Sequence, residues 1–137
     1  MTPEGLVIHA SEFDPRTTMD RVVAAVTPRG MAVLARIDHA QAAAKVGMEL
    51  RSTEVLIFGN PKAGTPLMQA SQTMGIDLPL WILVWQDGDG KTWLGYNAPE
   101  WLARRHGVDT ETVASLEAMS AALGAVATRA TTDGDKP

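Results

Sequence analysis

The chain has no cysteine. That excludes disulfides, thiolate metal sites and a thiol nucleophile, leaving chemistry to hydroxyls, imidazoles, amines and carboxylates. Long apolar runs are also missing. None approaches the roughly 20 residues a bilayer-spanning helix needs, so no membrane association is expected. The N-terminal stretch MTPEGLVIHASEF lacks the basic start and long apolar centre of a secretory signal, which makes a cytoplasmic location the expectation. Positive charge is in deficit, with 12 Lys and Arg against 16 Asp and Glu and a formal net charge of −4. Nucleic-acid binding that rests on clustered cations is therefore not expected. Histidine is scarce and scattered as His9, His39 and His106. None forms an HxxxH pair or stands at ligand spacing from a carboxylate, so no metal site is expected and each is read as surface or structural.

What is present describes a globular domain. The 137 residues are 45% hydrophobic and 20% charged, enough for one core without staples. Leu6, Ile8 and Ala10 alternate with Val7, His9 and Ser11 as a first strand. Asp14 then caps a helix with Pro15 at its first position. Met19, Val22, Val23 and Val26 lie on one face of that helix. Met31 to Asp38 is a strand whose odd residues are apolar and whose Arg36 and Asp38 form a wet face. An alanine-rich helix spans His39 to Val46, and strands are expected at Thr53–Asn60, Leu78–Gln86 and Lys91–Tyr96.

A short helix is expected at Pro66–Met74. The Asp87-Gly88-Asp89-Gly90 sequence is a hairpin turn. Helices follow at about Pro99–His106 and Thr110–Arg129. The second of these has a modest stripe of Val113, Leu116, Leu123 and Val126. The expectation is a single α+β domain over residues 1–129, with a frayed tail at 130–137. Its five-stranded, largely antiparallel sheet would be covered on one face by helices, in the order β-α-β-β-β-β-α with short extra helices.

The segment FGNPKAGTPLM, Phe58 to Met68, is the main candidate for chemistry. Gly59 and Gly64 have the spacing of a Walker loop, but Thr65 stands where its lysine belongs, so that reading fails. A more general reading has Thr65 cap a helix that begins at Pro66, with free N–H groups at Leu67 and Met68. Such an end attracts anions. Lys62 and the Asn60 amide would add charge and direction, and Gly64 close backbone approach. The plainer alternative is a simple corner with a solvated lysine.

Four tryptophans, Trp81, Trp85, Trp93 and Trp101, crowd one region. Trp81, Leu83 and Trp85 would face one side of their strand and Leu80, Ile82 and Val84 the other. One helical layer cannot cover both sides, so a second copy of the chain, a ligand or another segment is expected on the far side. Asp87 and Asp89 read as turn residues rather than a catalytic pair. Ser52 and Ser71 have no G-x-S-x-G context. Arg104 and Arg105 suit the negative end of a helix dipole.

Val55 to Gly107, with its FGNPKAGTPLM segment, apolar strand, Asp/Gly hairpin and Tyr96-Asn97 pair, resembles the domain of unknown function 302 family. The resemblance extends from about Leu6 to the last helix. It implies a compact α+β domain, similar to a single copy of the TATA-box-binding-protein-like fold, and a homodimer. It implies no reaction.

The expected function is binding of a small anionic or polar ligand at Asn60, Lys62, Gly64 and Thr65, with Tyr96 and Asn97 nearby. The alternative is a homodimeric structural or protein-interaction module. No cofactor is expected, and no acid/base or nucleophile constellation in the sequence points to an enzyme.

Overall fold

The computed structural model describes residues 2–109 and 114–133. Its strands are β1 (Leu6–Ala10), β2 (Ala32–Asp38), β3 (Thr53–Gly59), β4 (Leu80–Gln86) and β5 (Thr92–Asn97). Its helices are α1 (Pro15–Val26), α2 (His39–Lys45), α3 (Pro61–Ala70), α4 (Pro99–Arg105) and α5 (Ala114–Thr131). The strands form one sheet in the order β1-β5-β4-β3-β2, every neighbouring pair antiparallel. This is the expected α+β architecture.

Asp14 starts α1 as expected, its carboxylate accepting the Thr17 N–H at 2.7 Å. The Thr17 N–H holds the Asp14 carboxyl below the usual range. Met19, Val22 and Val26 of this helix are fully buried. α5 packs beside α1 and buries Leu116, Met119, Leu123, Val126, Ala127 and Ala130. Its stripe is fuller than the sequence reading allowed, because alanines and a methionine fill the positions between the large residues. Arg21 of α1 closes the far end of α5, donating to the Arg129 and Thr132 carbonyls at 2.7–3.1 Å. A cation there also complements the helix dipole.

The helices cover the sheet face that carries Leu56, Phe58, Ile82, Val84 and Leu94, each at most 1% exposed. Directly paired residues share a face. The opposite face therefore carries Ile8, Gly95, Leu83 and Val55 in one row and Ala10, Trp93, Trp85 and Thr53 in the next.

Three expectations need correction. The tail does not begin at residue 130: Ala130 and Thr131 are 0% and 1% exposed and continue the buried stripe of α5, while 134–137 lie outside the described residues. The expected start of this helix at Thr110, and Val113, also lie outside them. In β2 the strict alternation breaks at a bulge between Val33 and Ala35. Val33 thus pairs on the helix-covered side while Ala35 and Ile37 fall on the open side. The Arg36 side of the strand, expected to face water, turns toward α1, and Arg36 bonds Asp20 and Glu54 at 2.9 Å each.

Candidate functional site

The corner between β3 and α3 is built one helical turn earlier than the sequence reading placed it. Asn60, not Thr65, is the cap: its side-chain oxygen accepts the Lys62 N–H at 2.9 Å, and Pro61 takes the first helical position. Pro66 lies inside α3, so Leu67 and Met68 are interior helical residues rather than free donors. The first turn is itself occupied. The Ala63 and Gly64 N–H groups both bond the Asn60 carbonyl, at 2.9 and 3.2 Å. Gly64 has an ordinary helical φ, and a Cβ there would meet Leu78 at 3.7 Å, so it is not required for backbone approach. Gly59 is required: a Cβ there would lie 2.8 Å from the Pro79 Cβ.

Two clefts flank this corner. One, of about 220 Å³, is lined by Arg29, Met31, Gly59, Asn60, Ala63, Gly64, Leu78 to Leu80, and Ala118, Met119 and Ala122 of α5. The other, of about 300 Å³, runs past Ala32, Leu34, Pro61, Thr65 and Met68 on the far side of α3. Asn60 and Gly64 line both, Thr65 lines only the second, and Lys62 lines neither. Arg29 and the amide nitrogen of Asn60 make no hydrogen bond or ion pair among the described residues.

Tyr96 and Asn97 are adjacent in sequence but lie on opposite faces of β5. Tyr96 is 8% exposed on the helix-covered face and stacks near His9, with ring centroids 6.1 Å apart. Burial, and then Glu100, push its phenol above the usual range. Asn97 is exposed and lines a separate cleft of about 110 Å³ with Ile76, Asp77, Leu80, Trp81, Leu102 and Leu123. Five of the six sequence candidates thus spread over three clefts and a core position, and Lys62 lines none of these clefts, so the six do not converge on one pocket.

One polar cluster escaped the sequence reading. Gly107, at φ 73°, ends α4 with its N–H on the Arg104 carbonyl and the Val108 N–H on the Ala103 carbonyl. This ending places His106 against the 3-10 turn Gln72–Ile76. His106 Nε2 lies 2.5 Å from Asp77 Oδ2, and its Nδ1 lies 2.8 Å from Thr73 Oγ1. Arg105 holds the same Asp77 oxygen at 2.6 Å, and Ser71 Oγ lies 3.2 Å from Thr73 Oγ1. His106 therefore does have a carboxylate neighbour. No local spacing could reveal it, because 29 residues separate the pair. Among the described residues no group of His, Asp and Glu could hold a metal ion, and no helix is long and apolar enough to cross a membrane.

The family model described as a domain of unknown function, DUF302, matches residues 7–126. The chain belongs to this family. A DUF302 protein of Bacillus stearothermophilus, an uncharacterized conserved protein of known crystal structure, superposes with a TM-score of 0.81. The match covers 93% of this chain and 99% of that one at 18% identity, a likeness of fold. Two relatives are named fluoride-specific ion channel FluC 1, from Brucella suis and Brucella abortus. Each is 43% identical to this chain over 122 residues, 89% of its length. The chain covers 48% and 45% of their lengths, so it spans about half of the curated relatives it matches.

Proposed function

We propose that this DUF302 domain binds a small ligand with an apolar body and an anionic or polar head, in the cleft between the β3–α3 corner and α5. The observation that carries this reading is the wall chemistry of that cleft. Met31, Ala63, Leu78, Leu80 and Met119 offer an apolar enclosure, and the Arg29 guanidinium and Asn60 amide nitrogen are two polar groups beside it without partners among the described residues. Concave, mostly apolar sites with a few placed polar groups are the usual form of a small-molecule site. The first turn of α3 has its donors engaged, so the charge partner in this reading is Arg29 more than the helix end.

The expected roles divide accordingly. Asn60 and Gly64 line the site and Arg29 holds the head. Lys62, Thr65, Tyr96 and Asn97 contribute less. Thermal unfolding titrated with hexanoate, inorganic phosphate and fluoride tests this. Hexanoate is expected to raise Tm most, Arg29→Ala to remove most of that shift, and Lys62→Ala to leave it nearly intact. Equal shifts in wild type and Arg29→Ala would remove Arg29 from the site, and protection by phosphate alone would return the site to Lys62.

A second reading concerns the uncovered sheet face. Ile8, Ile37 and Trp81 are 37%, 40% and 50% exposed there. Apolar exposure spread across both edge strands and the centre supports pairing with a second copy of the chain, face to face.

A further inference from the structure

We propose that Thr73, His106 and Asp77 form a hydrolytic site for small carboxylic esters, with Thr73 as nucleophile and His106 as general base. Such constellations are recognised by geometry and roles, not by order in the chain. The hydroxyl–imidazole distance of 2.8 Å and the imidazole–carboxylate distance of 2.5 Å meet the reach that proton transfer requires. The two ring nitrogens have distinct partners. With its proton on Nε2, His106 donates to Asp77, and Nδ1 accepts from the Thr73 hydroxyl.

Burial separates the roles further. The His106 side chain is 8% exposed, whereas Thr73 is at the surface and open to a substrate. Asp77, fixed by Arg105, is a positioning residue that holds the ring through its Nε2.

In the first step Thr73 Oγ1 bonds the ester carbonyl carbon while its proton passes to His106 Nδ1. The carbon–oxygen bond to the alcohol then breaks, and the leaving oxygen takes that proton. A water molecule next attacks the acyl-threonine, giving its proton to Nδ1. Thr73 leaves and recovers the proton. The sum is ester plus water to acid plus alcohol, with no other reactant.

A fluorophosphonate probe reads the nucleophile directly, because Thr73 Oγ1 would bond phosphorus as fluoride departs. Peptide mass mapping of the full chain is expected to find the adduct on Thr73, to find it also on serine in Thr73→Ser, and to lose it in Thr73→Ala. His106→Gln is expected to slow labelling roughly a hundredfold or more. Asp77→Asn is expected to lower kcat for p-nitrophenyl acetate with KM little changed, a split that loosened structure alone would not give. Thr73 is exposed, so its variants decide the matter even if His106→Gln unfolds. No adduct at Thr73, or hydrolysis by Thr73→Ala at the wild-type rate, would overturn the proposal.

Discussion

Asn60 and Thr65 compete in the sequence for the same role, and the backbone settled it in favour of Asn60. An Asn-Pro pair places a capping oxygen and a preset φ together, as Asp14-Pro15 does at the start of α1. Thr65-Pro66 makes the same pattern five residues later, but by then the helix has begun. Pro66 therefore sits inside α3, where it removes the hydrogen bond its N–H would have made to the residue four earlier. Asn60→Ala is accordingly expected to lower stability by about 1 kcal/mol. Thr65→Ala, at an exposed helical position, should change it by less than about 0.5 kcal/mol. Urea midpoints measure both, and a larger loss in Thr65→Ala would reverse the assignment.

At the scale of elements, the β4–β5 hairpin is more than a solvated turn. Asp87 accepts the Trp93 indole N–H at 2.8 Å and the Asp89 and Lys91 N–H groups at 2.9 and 3.0 Å. The indole first, then the amides, holds its carboxyl below the usual carboxylate range. Lys91 also sits over the Trp93 ring, 4.6 Å from its centroid. A depressed folded-state pKa means stability that is fully present above the unfolded value near 3.8 and lost as pH falls through the folded one. Asp87→Asn should therefore lower the urea midpoint at neutral pH and show a shallower decline than wild type below about pH 3.8. Trp93 fluorescence reports the local change. Parallel acid profiles for the two proteins would show that Asp87 does not couple to folding.

For the whole molecule, the decisive feature is a sheet with one covered and one open face. The helix-covered side holds the core, while the open side keeps Ile8, Ile37 and Trp81 in contact with solvent. Only part of that side covers itself: Trp85 packs over Gly95, where a Cβ would meet its ring at 3.1 Å. If two copies pair through this face, light scattering at micromolar concentration gives twice the chain mass, and Trp81→Glu returns it to the mass of a single folded chain. A monomeric wild type would retire the second reading and leave the clefts as the functional surface.

The sequence by itself determined the elements, because each rests on neighbours a few residues apart. Alternation along β1, the α1 stripe, the Asp-Gly hairpin and the Asp14 cap are all local, and each stands where it was read. The α+β class and the DUF302 resemblance followed from those elements and from the FGNPKAGTPLM and Tyr96-Asn97 motifs. Local pattern failed where two solutions looked alike, at Asn60 against Thr65, and where one extra residue in β2 reversed a face. Tertiary structure alone decided the strand order and the cleft that joins Arg29 to α5. It also brought His106 to Asp77 and Thr73 across 29 and 33 residues. The physical reason is the reach of the forces: hydrogen bonds and caps are read along the chain, whereas burial brings distant side chains together only once the helices have docked on the sheet.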